Sequence, residues 1–178
     1  MKIYVISGGP SAGKTSVINE LGKKFKILRE AARYVGDNDL RFKGKSVKGI
    51  ERTEFQKAIF EFQKKQILEL DNDNKTVFSD RGFGDTIAYY LFDNLEVPED
   101  LLEKARKFRY AGIFFLEPLN FYVKDKLRQE SKEQMKKIRE CILKAYSDLS
   151  YNIIKVPFMP IEERIKFILE KVQKNLKI

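Results

Sequence analysis

The chain has 178 residues, of which 43% are hydrophobic and 34% charged, and a formal net charge of +9. That balance describes a globular protein with enough chain to bury a core, and no apolar run approaches the roughly 18 to 20 residues of a membrane helix. Histidine is missing and Cys141 is the single cysteine, which excludes internal disulfides, histidine-based triads and cysteine metal cages.

Any chemistry here therefore runs on carboxylates, lysine, arginine and a hard metal ion. No signal-peptide pattern precedes the first apolar run, and the expected location is a reducing cytoplasm. Lysines and glutamates are scattered over nearly every predicted helix, without a dense basic block or an interleaved aromatic stripe. The excess charge reads as a solvated surface, with some of it serving a phosphate-rich ligand, and not as a nucleic-acid interface.

In chain order, KIYVIS (2–7) is a short β-branched run ending in glycines, hence a strand. KTSVINELGKK (14–24) reads as a helix with Val17, Ile18 and Leu21 on one side, and FKIL (25–28) as a brief second strand. The stretch to Gly49 is weakly patterned and predicts a loop with some helix at Ala31 to Val35. A long amphipathic helix follows from about Glu51 to Leu70, with Phe55, Ile59, Phe62 and Leu70 on one stripe. TVFSD (76–80) is the third strand, TIAYYLF opens a helix, and a basic helix runs from VPED to about Tyr110. GIFFL (112–116) is apolar throughout and predicts an interior strand.

Ser131 and Gln134 form a capping-box pair opening a helix with Met135, Ile138, Ile142, Ala145 and Leu149 at spacings of three and four. Cys141 falls on its apolar side and reads as core. YNIIKVP (151–157) holds the fifth strand, and Pro160 with Glu162 and Glu163 begins a last helix facing the core through Ile161, Ile165, Leu169, Val172 and Leu176. Strands alternating with helices imply an α/β fold, a five-stranded parallel sheet with helices on both faces, expected as one domain over 1–178. Ligands of such sheets bind beyond the carboxyl ends of the strands, where the motifs below fall.

GGPSAGKT matches the Walker A phosphate loop in full and lies between a predicted strand and a predicted helix. Its glycines let backbone N–H groups from Gly8, Gly9, Pro10, Ser11, Ala12 and Gly13 onward enclose phosphates, apart from the proline, which has no N–H. Lys14 is placed to reach the β- and γ-phosphates, Thr15 to ligate magnesium, and Ser16 is a second hydroxyl. A bound nucleoside triphosphate, ATP or GTP with Mg²⁺, is the expectation. The Asp-x-x-Gly switch and the Asn/Thr-Lys-x-Asp guanine reader of signalling GTPases are missing, and an AAA-type motor's Asp-Glu strand end and helical lid domain have no counterpart.

A small phosphoryl-transfer kinase needs less: the loop, a carboxylate, an acceptor pocket and an arginine over the transferred phosphate. Asp80 ends the third strand and is the candidate magnesium carboxylate, with Arg81 after it. Glu30 ends the short second strand and suits a general base or orienting group for a hydroxyl, with Arg33 a helical turn further. Gln56, Ile59 and Gln63 share a helical stripe, so a glutamine there could read a base edge with Phe60, Phe83 or Tyr89 stacking on the ring.

The ordered series REAAR (29–33), the glutamine-bearing helix, SDRGFGDTIAYY (79–90), FFLEP and DKLRQE resembles a family of small P-loop ATPase-like proteins. That family is related to the ribosylnicotinamide-kinase domain and neighbours the thymidylate and deoxynucleoside kinases. The resemblance covers nearly the whole chain and implies a nucleoside/nucleotide kinase-like P-loop NTPase fold. It implies that Gly8, Gly13, Lys14 and Thr15 form the nucleotide loop, that Glu30 and Arg33 face the acceptor, and that Asp80 and Arg81 form the third-strand element. It further implies that Asp85 opens the next helix toward the acceptor, and that Arg128, three residues after Asp125, lies where related kinases bring a lid arginine over the phosphates. The loop departs from the Glu-Ser-Ser core usual in ribosylnicotinamide kinases, and Gly82 stands where thymidylate kinases have an aromatic residue or histidine.

The reading is a Mg-dependent nucleotide-binding protein, a kinase for a small nucleoside- or nucleotide-like acceptor. The alternative is a regulatory ATPase- or GTPase-like switch without a small-molecule acceptor. The sequence leaves the acceptor, the donor base and the oligomeric state open.

Overall fold

The computed structural model describes residues 1–45, 49–71, 76–118 and 131–176. Five strands, β1 (Lys2–Ser7), β2 (Lys26–Leu28), β3 (Thr76–Asp80), β4 (Gly112–Leu116) and β5 (Ile153–Val156), form one parallel sheet in the order β2-β3-β1-β4-β5. The helices are α1 (Lys14–Gly22), α2 (Ala31–Asn38), α3 (Arg52–Leu68), α4 (Phe83–Phe92), α5 (Glu99–Lys107), α6 (Lys132–Asp148) and α7 (Ile161–Leu176). The chain winds from β1 toward β2 on one side and crosses to β4 on the other, so β1 sits at the reversal point where such sheets hold ligands.

The period-two geometry of a strand splits its apolar run between two cores. Ile3 and Val5 of β1 join Val77, Ile113 and Phe115 against α3, α4, α5 and α6. Tyr4 and Ile6 join Phe78, Phe114 and Leu116 against α1 and α7. This is why β1 and β4 carry no polar residue before their ends: both faces are covered, and each fully buried large side chain contributes roughly 1.5–3 kcal/mol. A third cluster, Ala31, Val35, Phe42 and Ile59, fastens α2 to α3.

Four sequence expectations shift. Helix α2 continues past Val35 to Asn38, since Val35 and Phe42 both find Ile59; Asp39, accepting from the Arg41 N–H, then turns the chain. Helix α4 starts at Phe83, three residues before Thr86, because Phe83 is fully buried and Asp85 returns to the Gly82 N–H. On α3 the buried side chains are Gln56, Ile59, Phe60 and Gln63, while Phe55 and Phe62 lean on the α2 cluster: a helix between two neighbours has two inner faces. On α7 the deepest positions are Arg164, Ile168 and Val172, with Ile161, Ile165 and Leu169 at the margin. The Ser131–Gln134 capping box forms as expected, and Cys141 packs half-buried against the core.

Candidate active site

The phosphate loop leaves the sheet at Gly8, whose φ of 147° and whose hypothetical Cβ, 2.8 Å from the Leu116 carbonyl oxygen, admit no side chain. The turn passes Ser11 (φ 59°) and reaches Gly13, the left-handed N-cap of α1. The first-turn N–H groups of α1 thus open onto the loop, with Thr15 and Ser16 exposed beside them. Lys14 is buried, and its Nζ donates to the carbonyls of Gly8 (2.9 Å) and Gly9 (2.8 Å). Burial, followed by the nearby Arg81 guanidinium, brings its ammonium down to about 7.

Two arginines that the sequence reading passed over flank this loop. Arg164 is buried; its Nη1 donates to the Ala12 carbonyl (2.7 Å) and its Nη2 to the Glu117 carbonyl (3.2 Å). Arg139 of α6 lies beside Gly9 and donates from Nη2 to both Glu117 carboxylate oxygens at 2.9 and 2.7 Å. The available signal was a cation at the i−4 position from the buried Ile168; hydrophobic periodicity discounts such a residue as a flank.

Register places Asp80 opposite Ile6, two residues before the loop. Its carboxylate is buried, Oδ1 has no hydrogen-bond partner among the described residues, and burial together with the Glu30 carboxylate pushes it up to about 6. The next residue, Arg81, takes a left-handed backbone (φ 71°), which costs a side-chain-bearing residue on the order of 1 kcal/mol and persists only where surroundings fix it. Its N–H donates to the Ile6 carbonyl (3.1 Å) and its carbonyl accepts from the Ser79 hydroxyl.

The Arg81 guanidinium donates from Nε to Glu30 (3.1 Å) and from Nη1 to Asp85 (3.3 Å), and lies over the Tyr89 ring at 5.6 Å. Burial alone would lower Arg81, but Tyr89, Glu30, Asp85 and Asp80 hold it well above its ordinary value. Burial likewise raises Glu30, and Arg81 with Lys14 and Arg33 overrides that, so Glu30 stays ionised below the usual carboxylate range. Glu30 is aimed by its backbone: the α3 side chain of Gln66 accepts from the Arg29 N–H (2.7 Å) and donates to the Arg29 carbonyl (3.1 Å).

Lys14, Glu30 and the stretch carrying Asp80, Arg81 and Asp85 therefore meet from three separate parts of the chain. Asp85 does so by holding Arg81: its carboxylate also accepts from Ser7 Oγ (2.7 Å), Tyr146 OH (2.6 Å) and the Gly82 N–H (3.0 Å), so it offers no free face to an acceptor. Arg33 stands at the rim, its side chain 62% exposed and 3.7 Å from Glu30. Gln63 is buried and accepts from Thr86 Oγ1 (2.9 Å), tying α3 to α4. Phe60 and Phe83 are core, packed edge to face, and so are not open to a base; Tyr89 is partly buried beneath Arg81. Arg128 and Asp125 lie outside the described residues. A cleft of about 420 Å³ between α2 and α3 is lined by Tyr34, Asn38, Glu54, Lys57 and Phe62, without contribution from Glu30, Asp80 or Arg81.

A family model described as an AAA domain matches residues 3–164. The chain belongs to that family. A search of curated protein sequences finds no match. Among solved structures, this AAA-family chain is similar to thymidylate kinase from Candida albicans, with a TM-score of 0.69 and 18% identity over 98% of this chain and 92% of that one. It is similar to a deoxyadenosine kinase from M. mycoides solved with dCMP and dCDP (TM-score 0.62, 15% identity, 97% and 98% covered). Shikimate kinase from Aquifex aeolicus gives a TM-score of 0.59 at 22% identity, with 99% and 98% covered. The fold is that of the P-loop kinases, and among the described residues no helix is long and apolar enough to cross a membrane.

Proposed function

We propose that the protein is a magnesium-dependent phosphotransferase that moves the γ-phosphate of ATP or GTP to a hydroxyl of a small nucleoside- or nucleotide-like acceptor. The observation that carries the reading is the partly buried Glu30–Arg81 pair beside Lys14 and Asp80. An ionised carboxylate braced by a fixed cation is suited to orienting an acceptor hydroxyl and accepting its hydrogen bond, and a bare nucleotide switch has no need of it. The names of the similar structures, two of them nucleoside or nucleotide kinases, support the acceptor class.

In this reading the backbone N–H groups of residues 8–16 other than Pro10 receive the triphosphate, and Lys14 exchanges the Gly8 and Gly9 carbonyls for phosphate oxygens. A lysine brought down to about 7 by burial regains full charge once anionic oxygens replace those neutral carbonyls. The unpartnered Asp80 Oδ1 and the exposed Thr15 hydroxyl fit a hard cation, and Mg²⁺ held there would neutralise charge on the phosphates. Glu30 accepts the proton of the acceptor hydroxyl or orients it, Arg81 and Arg33 steady the acceptor, Gln63 lines its pocket, and Arg128 serves as the arginine brought over the phosphates.

The test is ADP or GDP release by the pure protein with magnesium over a panel of nucleosides, nucleotides and ribosylnicotinamide, with Lys14→Ala as the blank. Release that depends on one acceptor and disappears in the blank is expected. Tight nucleotide binding without acceptor-dependent release across the panel would favour the regulatory reading instead.

A further inference from the structure

The Asp85 carboxylate has a design that the phosphotransfer reading does not use. It is 1% exposed and faces four donors drawn from two elements, β1 and α6, and from the β3–α4 turn. Oδ2 takes the Tyr146 hydroxyl at 2.6 Å and the Gly82 N–H at 3.0 Å. Oδ1 takes Ser7 Oγ at 2.7 Å and Arg81 Nη1 at 3.3 Å. With three of those donors fixed by β1, by α6 and by the turn, the carboxylate plane cannot rotate, and the direction it offers Arg81 is set.

The reach of Tyr146 to this point is built into the sequence at two glycines. A Cβ on Gly84 would stand 2.5 Å from Tyr146 Cε1, and a Cβ on Gly82 would stand 2.9 Å from the Tyr146 hydroxyl oxygen. The D-R-G-F-G-D stretch therefore leaves a slot for this ring, and real Cβ contacts do not come so close. Phenylalanine would fill that slot equally well; only the hydroxyl adds the bond to Asp85. Burial and the Asp85 carboxylate push the phenol well above its ordinary value, so it stays protonated and stays the donor.

We propose that Tyr146 is a positioning residue for the acceptor side of the site: acting through Asp85, and supported by Ser7, it fixes the Arg81 guanidinium between Glu30 and the Tyr89 ring. This rests on the phosphotransfer reading for its catalytic meaning, but the positioning itself is measurable without turnover. Helix α6 thereby becomes a structural partner of the third-strand arginine, a link that no spacing motif within residues 79–90 contains.

The experiment is ¹⁵N–¹H spectroscopy of arginine Nε–H groups in the full chain, with the Arg81 signal identified by its loss in Arg81→Lys. The wild type should show a slowly exchanging Arg81 Nε–H, held on Glu30. Tyr146→Phe should speed its exchange by about tenfold, and raise the acceptor KM by about the same factor with the donor KM unchanged, as expected when a hydrogen bond to a charged group is removed. Ser7→Ala, which removes the other side-chain hydroxyl from Asp85, should give the same signature and serves if Tyr146→Phe proves unstable. Unchanged Nε–H exchange in both variants, or equal rises in donor and acceptor KM, overturns the proposal. A wild type that phosphorylates no acceptor overturns the kinase reading, and the exchange measurement then decides the positioning of Arg81 independently.

Discussion

The two halves of the site are held by different means. On the phosphate side Lys14 is satisfied by carbonyls five and six residues away in its own loop. On the acceptor side Arg81 reaches a carboxylate 51 positions away, and its other partner, Asp85, is fixed by residues 78 and 61 positions away. The first half is a local device that needs one short motif. The second exists only when β1, β3, α2, α4 and α6 have packed, so its geometry is a property of the fold.

Breaking the acceptor half alone should produce the largest effect. Glu30→Gln removes the base and leaves Arg81 with one carboxylate, and should lower kcat by about 10²- to 10⁴-fold while ADP affinity stays within about twofold. Steady-state kinetics and calorimetry together check this, and a parallel loss of ADP affinity would show that the halves are not separable. Breaking the phosphate half should be the mirror image. Lys14→Ala should weaken ADP or GDP binding by about 100-fold, from the loss of a charged contact, with Arg81 Nε–H exchange unchanged.

Gly84→Ala tests whether the acceptor half depends on α6. It should destabilise the fold by about 1–3 kcal/mol in thermal or denaturant unfolding, from overpacking against the Tyr146 ring. Tyr146→Leu combined with it should recover part of that loss, as a double-mutant cycle would measure.

The smallest effects sharpen the electrostatic contrast. Lys14, brought down to about 7, must gain a proton to meet phosphate, so nucleotide affinity should fall as pH rises above about 7, approaching tenfold per pH unit. Asp80, raised to about 6, must lose one to hold a cation, so only the magnesium-dependent part should weaken below about pH 6. The same raised value means that ionised Asp80 costs stability above about pH 6 and nothing below its unfolded value. Asp80→Asn should therefore stabilise the apo fold by about 1–2 kcal/mol at pH 7 and leave it unchanged near pH 3.

The contrast also explains what could be read from residues in order. The strands, the helix alternation and the loop were visible because each rests on a local signal: a β-branched run ending in glycines in KIYVIS, spacings of three and four in α6, and the fixed Walker A spacing. Asp80 was visible as a carboxylate at a strand end. Arg164 and Arg139 were not, because a cation on an inner face is indistinguishable from a flanking one until its carbonyl or carboxylate partner is placed. Asp85 looked like an acceptor ligand for the related reason that a sequence shows a charge but not what already occupies it. Gly82 departs from the aromatic residue of the resembling kinases because Tyr146 and Tyr110 take up that space, a relation across 64 residues for Tyr146 that no local pattern encodes.

One bond on the phosphate side runs against the local rule. Arg164 closes on the Ala12 carbonyl across 152 residues. At a synthesis rate of about 5–20 residues per second, Ala12 is added to the chain roughly 8–30 s before Arg164, by the spacing of this pair. Throughout that interval the growing chain carries the loop residues without the Arg164 bond that holds the Ala12 carbonyl in the folded protein. The geometry of the phosphate loop is thereby tied to the docking of α7, the last helix of the described chain.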